Sequence, residues 1–274
     1  MPPMQTALCS PLPLAHEVKL ARIAESKPIA QNQWSIWLKA DAELPDFNPG
    51  NFCMLSLLES VDPLTPRPFA IVEKKNGMYH FIYRVTGKFT HQLATLPVGT
   101  SVGVMGPLGR GFSAEQFRTG KHAFIAGGVG YASLLSLFDQ LKSEPTAVFY
   151  GVRTDLEIIR KGKFKALYSS DDGSVGTKGR ITEVLKANQK TLDQTDAFYI
   201  CGPTPMMKAV YDLIPPEKSF YFLEEAMGCG FGICIGCVVT VLKDGQSKRV
   251  RSCLEGPIFR GDELKPWREQ GWQA

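Results

Sequence analysis

Residues 122–141, HAFIAGGVGYASLLSLFDQL, run from an apolar stretch through a glycine-rich turn into a stretch with helical character. The first part, His122–Ala126, is short and apolar and is bounded by Gly127-Gly128, as expected of a buried strand. The second part, Tyr131–Leu141, is long enough for a helix that packs on such a strand. A strand followed at once by a helix is the building unit of a parallel α/β sheet.

The segments that follow repeat this alternation. The predicted strands are Ala147–Tyr150, Phe164–Tyr168, Ala197–Cys201 and Phe220–Leu223, and the predicted helices are Ile181–Asn188 and Pro205–Leu213. Strands that alternate with helices predict a single parallel sheet. We therefore assign residues 117–223 to a parallel α/β domain.

The segment before residue 117 has a different pattern, with six short β-branched or aromatic runs separated by Pro, Gly, Asn and Asp. These predicted strands are Val18–Ile23, Trp34–Leu38, Phe52–Leu58, Phe69–Glu73, Tyr79–Val85 and Ser101–Met105. Short strands at this spacing predict a small antiparallel β-barrel at residues 16–116, with a helical stretch at Thr90–Leu96. Residues 1–15, broken by Pro and without a cationic start, are interpreted as a tail and not as a signal peptide.

The chain after Glu224 is rich in Gly and Cys. Its cysteines are spaced Cys229-x4-Cys234-x2-Cys237, and Cys253 follows at a distance. This is the plant-type spacing of [2Fe–2S] ligands, in which four thiolates surround two irons. The intervening glycines permit the tight backbone that such a core requires. We therefore predict a small C-terminal [2Fe–2S] domain at residues 224–274.

The distant position of Cys253 is explained by a predicted hairpin, Val238–Lys243 and Lys248–Ser252, which returns the chain to the other three cysteines. Two further interpretations stay open, a structural zinc site and a set of buried free cysteines. Zinc ribbons more often use two C-x2-C knuckles, and only one is present here. Cys9 and Cys53 have no partner spacing and are expected to be inert.

The composition is that of an ordinary globular chain, with 274 residues, 44% hydrophobic and 21% charged residues and a net charge of +4. Lys and Arg are scattered, which argues against nucleic acid as a partner. No apolar run approaches the roughly 18 residues of a membrane-spanning helix. Seven cysteines, four of them crowded near the C-terminus, favour a cluster or metal in a reducing compartment, and hence the cytoplasm.

The turn Gly127-Gly128-Val129-Gly130 lies where a parallel-sheet protein can bind a pyrophosphate, because helix amides face the ligand there. Its match to G-x-G-x-x-G is incomplete, since Ser133 stands at the third glycine, and such a turn can also serve packing alone. Cys201 ends a later strand of the same sheet, at the edge where these sheets bind ligands. It is interpreted either as a neighbour of a nicotinamide ring or as a small core residue.

In the predicted barrel, two arginines and a helix start stand close to turns. Arg67-Pro68-Phe69 begins one strand, Tyr83-Arg84 ends another, and Gly87-Lys88-Phe89-Thr90 opens the helical stretch. Two cations beside a helix N-terminus can bind a diphosphate. Each arginine can equally be an ordinary surface charge, and composition does not decide between these interpretations.

Taken in order, these segments resemble the ferredoxin–NAD(P) reductase superfamily and, within it, the electron-transfer subunits of type B dihydroorotate dehydrogenases, over residues 16–267. The most specific match is the C-terminal motif, from Glu224 through the cysteines to Gly256-Pro257. The resemblance implies FAD, one [2Fe–2S] cluster and NAD as a diffusible substrate. The implied cofactor-binding residues are Arg67, Pro68, Phe69, Ala70, Ile82, Tyr83 and Arg84 around the flavin, Gly87, Phe89 and Thr90 at its phosphates, and Gly128, Gly130 and Cys201 for the nucleotide.

Three positions depart from the family pattern. Ala70 replaces the usual Ser or Thr, so no hydroxyl is available there to bond a flavin. Phe89 replaces a glycine in the phosphate turn, which requires a negative φ and a ring that points away. Ser133 stands where the superfamily usually has Pro.

The resemblance also covers Tyr150–Arg153 and the segment Asp171-Asp172-Gly173-Ser174 with Gly176 in the nucleotide domain. Asp171 and Asp172 would repel a 2′-phosphate if they lie near the ribose. The expectation of NAD instead of NADP rests mainly on the resemblance.

The resemblance implies an oxidoreductase subunit of pyrimidine biosynthesis. Electrons from an FMN-containing dihydroorotate dehydrogenase catalytic subunit would pass through the cluster and FAD to NAD+, in a heterotetramer with two of each subunit. The cysteine loop Gly228–Gly236 is the expected docking face. The four histidines are dispersed and are expected at the surface or in strands, so no catalytic residue is assigned. The alternatives are a reductase component serving another acceptor, such as an oxygenase, and a non-enzymatic redox sensor with a structural metal.

Overall fold

The structure of the chain is a computed structural model that describes residues 17–58, 60–112, 120–138, 140–141, 145–160 and 164–269. It contains two seven-stranded sheets and a two-stranded hairpin. Cys9 and residues 1–15, which we interpreted as a tail, lie outside the described residues. Within them, no helix has the length and apolar character needed to cross a membrane.

The first sheet is antiparallel, as predicted. Its strands are β1 (Lys19–Ala30), β2 (Gln33–Ala40), β3 (Phe52–Leu57), β4 (Arg67–Ala70), β5 (Glu73–Lys75), β6 (Met78–Arg84) and β7 (Ser101–Leu108). They are ordered β4-β3-β7-β1-β2-β6-β5. In the part of the chain that the structure describes, no ladder joins β4 to β5, so closure into a barrel stays a prediction.

Several bounds in this region differ from the prediction, and the first strand, expected at Val18–Ile23, spans Lys19–Ala30. The single expected strand Phe69–Glu73 is two strands, β4 and β5, separated by the buried pair Ile71 and Val72. The helix α1 spans Lys88–Thr95 and so begins two residues before the expected Thr90. The Thr90 hydroxyl accepts hydrogen bonds from the backbone N–H groups of Thr86 and Gly87, which closes the first turn before Thr90 itself.

Alternate side chains of β2 and β6 point to opposite faces of the first sheet, as the strand period requires. Ile36, Leu38 and Phe81 enter the core of this sheet. Ser35 and His80 lie on the other face, where the Ser35 hydroxyl and Nε2 of His80 are 2.8 Å apart. His80 is 2% exposed, so its prediction as a strand residue holds and that of a surface residue does not.

The second sheet is parallel except at one edge. Its parallel strands are β8 (His122–Gly127), β9 (Ala147–Val152), β10 (Leu167–Ser170), β11 (Thr177–Lys178), β12 (Ala197–Cys201) and β13 (Ser219–Phe222). The helices of this region are α2 (Gly130–Phe138), α3 (Ile181–Ala187), α4 (Gln189–Asp193) and α5 (Thr204–Tyr211). The strand order is β11-β10-β9-β8-β12-β13-β16, and β16 (Ile258–Arg260) pairs antiparallel with β13.

The alternation of strands and helices predicted this sheet, but several features differ, among them the short strand β11 and the helix α4, which were not predicted. The expected strand Phe164–Tyr168 begins only at Leu167. The edge strand β16 was not predicted, because three residues carry no readable period.

The C-terminal region forms the predicted hairpin. It consists of β14 (Val238–Lys243) and β15 (Gln246–Arg251), followed by two short helices, α6 (Ser252–Glu255) and α7 (Lys265–Glu269). Asp244 and Gly245 both have positive φ, as the tightest hairpin turns require. The backbone N–H of Ser252 donates to the carbonyl of Cys237 at 2.9 Å, so the hairpin does return the chain to the first three cysteines.

Candidate functional site

A cavity of about 580 Å³ lies between the antiparallel sheet, the glycine turn after β8 and the segment that follows β13. Pockets of this size are typical of cofactor and ligand sites. All ten residues predicted around the flavin and its phosphates line it: Arg67, Pro68, Phe69, Ala70, Ile82, Tyr83, Arg84, Gly87, Phe89 and Thr90. These residues come from β4, from β6 and from α1 with the Gly87 that precedes it, and the fold places all three on one side of the cavity.

Tyr83 provides a test of whether this cavity fits a polar cofactor. Its hydroxyl is buried and has no hydrogen-bond partner among the described residues, and the residue lines the cavity. Burial raises the pKa of this phenol above its ordinary value, so the hydroxyl stays protonated and able to donate. A buried hydroxyl without a partner is costly, which indicates that a bound group supplies one. The cavity therefore fits a bound group with a hydrogen-bond acceptor, and its volume and its two lining arginines, Arg67 and Arg84, fit a flavin nucleotide with its diphosphate.

Arg67 is held at the edge of the cavity by its own loop. Its guanidinium donates to the carbonyls of Thr65 at 2.9 Å and Pro66 at 3.1 Å, and it lies 5.8 Å from the centre of the Phe89 ring. Phe89 lies inside α1 and is not among the residues with positive φ, as its place in the phosphate turn requires. Its ring does not leave the site, because it packs 5.9 Å from that of Phe69 and also lines the cavity.

The glycine turn of the parallel sheet reaches the cavity through neighbours of the predicted residues. Gly128 has φ +53° and donates from its N–H to Gly151 at 2.9 Å. Val129 and Ser133 line the cavity, whereas Gly128 and Gly130 do not. Gly130 instead permits close packing, since a Cβ there would lie 2.7 Å from the backbone of Cys201. Both interpretations of this turn, ligand approach and packing, therefore have support.

Cys201 is fully buried at the carboxyl end of β12, as a small core residue would be. Its thiol lies 3.8 Å from Oε1 of Glu224, which lines the cavity. Burial and the Glu224 carboxylate raise the pKa of this thiol, so it is neutral. Burial likewise raises the pKa of Glu224, although part of that side chain is open to the cavity. Cys201 thus stands one contact away from the cavity and not in its wall.

The four cysteines of the C-terminal region form two pairs. The backbone N–H of Cys234 lies 3.5 Å from the sulfur of Cys229, and that of Cys253 lies 3.5 Å from the sulfur of Cys237. The loop between Cys229 and Cys234 contacts the second pair's segment, because a Cβ at Gly232 would lie 2.4 Å from the side chain of Leu254, the residue after Cys253. When a two-iron core is bound, Cys229 with Cys234 and Cys237 with Cys253 would each hold one iron.

The pairing also bears on the zinc interpretation. A structural zinc ion needs four ligands around a single centre, whereas a two-iron core separates its ligands into pairs. The donor set therefore fits a [2Fe–2S] cluster.

Two of these thiols ionise easily. Burial opposes ionisation of Cys229, but the backbone amides of Cys234 and Phe231 outweigh it and lower the pKa to about 7. The hydrogen bond with Cys253 lowers the pKa of Cys237 to about 6, and the same bond raises that of Cys253. Thiolates are the form that binds iron, so the lowered pKa values of Cys229 and Cys237 favour metal binding.

An apolar cluster joins the cysteines to the cavity. It contains Phe52, Met54, Met105, Leu108, Met227, Cys237 and Cys253. Phe52 and Met227 also line the cavity, and Met227 precedes the candidate ligand Cys229 by only two residues. Two residues of chain span at most about 7 Å. The two candidate cofactor sites are therefore neighbours that share this apolar cluster.

The remaining predicted segments lie apart from the cavity. Asp172 accepts hydrogen bonds from the hydroxyl and backbone N–H of Ser174, and these bonds lower the pKa of its carboxyl. Cys53 is fully buried in β3, and burial raises its pKa, which is consistent with an inert thiol. Met227, which belongs both to the cavity lining and to the apolar cluster around the cysteines, was not predicted from the sequence. Its neighbours in the sequence carry no signal for either contact.

The fold and the cavity together define the class of ferredoxin-reductase-like oxidoreductases, and solved structures agree. The structure of an NADH-dependent reduced ferredoxin-NADP oxidoreductase, described for flavin-based electron bifurcation, is 28% identical with a TM-score of 0.73. The match covers 89% of this chain and 88% of that one. A ferredoxin reductase in carbazole 1,9a-dioxygenase, 21% identical with a TM-score of 0.62 over 77% of this chain and 69% of that one, has the same fold.

Comparison with protein families gives a narrower result. Residues 224–265 match the iron–sulfur cluster binding domain of dihydroorotate dehydrogenase B, and residues 124–212 match the oxidoreductase NAD-binding domain. The dihydroorotate dehydrogenase B (NAD(+)) electron transfer subunit of Lysinibacillus sphaericus (strain C3-41) is 34% identical over 87% of this chain and 95% of that protein. The electron transfer subunit homolog from Aquifex aeolicus (strain VF5) is 36% identical over 89% of this chain and 97% of that protein. The chain belongs to the family of dihydroorotate dehydrogenase B (NAD(+)) electron transfer subunits.

Membership of this family settles several expectations from the sequence. The chain is an oxidoreductase subunit, and the predicted resemblance and electron-transfer function are confirmed. The cysteine region is an iron–sulfur binding domain, which favours the cluster over zinc and over buried free cysteines. The non-enzymatic sensor is no longer supported.

Proposed function

We propose that this chain carries electrons between an FMN-bearing dihydroorotate dehydrogenase catalytic subunit and NAD+, with a [2Fe–2S] cluster at the four cysteines and FAD in the cavity. The observation that supports this most directly is the apolar cluster that joins Cys237 and Cys253 to Phe52 and Met227 of the cavity wall. A shell of this kind excludes water from both cofactors, which controls their redox potentials.

The ten cavity residues from β4, β6 and α1 are proposed to bind FAD. Arg67, fixed by the carbonyls of Thr65 and Pro66, faces the diphosphate with the N-terminus of α1. The Tyr83 hydroxyl donates to the cofactor, since the described residues give it no other partner. Ala70 offers the cofactor only a methyl group. FAD, when bound, supplies the exchange between two-electron hydride chemistry and one-electron transfer.

NAD is proposed to bind at the carboxyl ends of β8, β9 and β12, which is where parallel sheets bind nucleotides. The N–H groups of the turn containing Gly128 and Gly130 would face its diphosphate. Ser133 and Glu224 lie beside the cavity next to the buried Cys201, where the nicotinamide must meet the flavin. These side chains orient the rings and exclude water, and no proton transfer is assigned to them.

The cysteine loop Gly228–Gly236 is proposed as the docking face for the catalytic subunit. Cys234 is exposed at its surface, flanked by Ile233 at 75% and Ile235 at 66% exposure. Exposed apolar side chains around the proposed cluster ligand Cys234 suit a protein interface that excludes water between the cluster and the partner's cofactor. The assembly is proposed to contain two copies of each subunit, in the cytoplasm.

A second candidate function is supported by the structural comparisons. Two reductases with other electron acceptors or donors share the fold, at TM-scores of 0.73 and 0.62. The same two sites could pass electrons from NADH to such an acceptor, with the opposite net flow.

The two functions are separated by an assay with a partner. The chain is mixed under anaerobic conditions with an FMN-containing type B catalytic subunit, and NADH formation is followed after dihydroorotate is added. We expect dihydroorotate-dependent NAD+ reduction that requires both proteins. NADH oxidation with a dye, but no NAD+ reduction with dihydroorotate, would instead support the second function.

A further inference from the structure

A single carboxylate oxygen holds two arginines at the boundary between the two sheets. Oε1 of Glu157 accepts hydrogen bonds from Nη2 of Arg84 at 3.0 Å and from Nε of Arg153 at 2.9 Å. Nη2 of Arg153 donates to the same oxygen. The Glu157 side chain is only 2% exposed. A buried carboxylate of this kind is stable only with such partners.

The two arginines belong to different sites. Arg84 ends β6 and lines the cavity proposed for FAD. Arg153 follows β9 directly, at the carboxyl edge of the parallel sheet where NAD is proposed to bind. Glu157 lies between them in the short 3₁₀ turn Asp155–Glu157.

This turn is also attached to the antiparallel sheet through its backbone. The N–H of Gln31, in the turn between β1 and β2, donates to the carbonyl of Leu156 at 2.7 Å. The position of Glu157 relative to β6 is therefore fixed by more than its own ion pairs. A fixed carboxylate holds each guanidinium in one place before a ligand arrives.

Both arginines keep donors for a ligand. A guanidinium has five N–H donors, and Glu157 uses only one from Arg84 and two from Arg153. The side chains of Arg84 and Arg153 are 26% and 59% exposed.

We propose that Glu157 is a positioning residue that holds Arg84 for the flavin and Arg153 for the dinucleotide, and so couples the two binding sites. This inference rests on the proposed placement of FAD and NAD. Because both guanidiniums share one oxygen, a change at either arginine alters the hold of Glu157 on the other. Such coupling is reciprocal by thermodynamic necessity.

The inference is tested by equilibrium binding to the full-length chain, with FAD titrated into flavin-free protein and NADH titrated into FAD-loaded protein. In Glu157→Gln we expect the dissociation constants of both ligands to rise on the order of tenfold. The matched control is Glu183→Gln, which removes an exposed carboxylate paired with Lys186 at 3.4 Å and should change neither constant.

Double-mutant cycles distinguish positioning from a general loss of structure. If Glu157 acts through the arginines, Glu157→Gln should not weaken FAD binding further in Arg84→Gln, nor NADH binding further in Arg153→Gln. The inference is overturned if Glu157→Gln weakens FAD binding as much in Arg84→Gln as in the wild type, and NADH binding as much in Arg153→Gln as in the wild type. Unchanged dissociation constants in folded Glu157→Gln would do so too.

A second measurement applies if Glu157→Gln does not fold. Arg153→Gln removes two of the three hydrogen bonds that hold Oε1 of Glu157, so the carboxylate should position Arg84 less firmly and FAD should bind several-fold more weakly, although Arg153 is outside the cavity wall. An unchanged affinity for FAD contradicts the coupling. Wild-type protein that binds neither ligand would refute the proposed function, whereas normal wild-type binding with unaffected variants refutes only this inference.

Discussion

Replacing Cys253 by serine is expected to remove the iron–sulfur cluster while the flavin stays bound. Cys253 is 1% exposed and pairs with Cys237, so its loss leaves one iron with a single sulfur from the second pair. The ten residues proposed for FAD lie on other elements and keep their places. Iron content should fall from about two per chain to near zero, as expected for loss of one such cluster. Dihydroorotate-linked NAD+ reduction should be lost.

NADH-driven dye reduction should survive in Cys253→Ser, because this step needs only FAD and the nucleotide site. The matched control is Cys53→Ser, which changes a buried thiol of β3 outside the cysteine pairs and should keep the full iron content. An unchanged cluster spectrum in Cys253→Ser would show that the ligand set is wrong. Loss of iron in both variants would point to general unfolding.

Replacing Gly130 by alanine is expected to destabilise the parallel α/β sheet more than replacing any other glycine of this turn by alanine. A Cβ at Gly130 would lie 2.7 Å from the carbonyl carbon and oxygen of Cys201 and from the N–H nitrogen of Gly202. These are backbone atoms of β12 and its turn, so α2 must move away as a unit. Overpacking of this kind costs about 3 kcal/mol, and the melting temperature should fall by roughly 6–12 °C.

Two other glycines separate this clash from backbone strain. Gly128 and Gly77 have positive φ of 53° and 73°, and a Cβ at either would contact nothing within 4 Å. Their alanine variants should each lose only roughly 1–2 kcal/mol, the cost of an ordinary residue in this conformation. Thermal unfolding of the three variants should therefore rank Gly130→Ala well below the other two. Equal melting temperatures would contradict the close packing of α2 on β12.

The sequence predicted those parts of the fold that have a local period or a fixed spacing. The apolar run before Gly127 and the helix after it are complete within twenty residues, so the parallel sheet could be recognised from them. The cysteine spacing likewise needs only a hairpin between Cys237 and Cys253, and the hairpin is present. In both cases the signal lies in neighbouring residues.

Features that depend on distant partners were not predicted. The strand β16 forms because Phe259 pairs with Tyr221, nearly forty residues earlier. A strand of three residues has no periodic pattern from which this pairing could be predicted. Val129 and Ser133, not Gly128, form the cavity wall because the turn direction decides which side chains face it. Glu157 was not singled out either, since its meaning depends on Arg84 of the other sheet.

The residues that the family motifs indicated for the flavin are the ones that the structure gathers in one cavity. The segments Arg67–Ala70 and Ile82–Arg84 were named from a resemblance, and the fold brings them into one cavity. Phe89 was expected to point away from this site. Its ring instead packs against Phe69, because position 89 lies on the inward face of α1.

The proposed function requires a two-iron cluster and a flavin in the same chain. Iron, acid-labile sulfide, zinc and released flavin should therefore be measured on wild-type protein purified without oxygen. We expect about two irons and two sulfides per chain, as for one plant-type cluster, together with about one FAD and no stoichiometric zinc. A colourless protein that contains zinc and neither iron nor FAD would contradict the account.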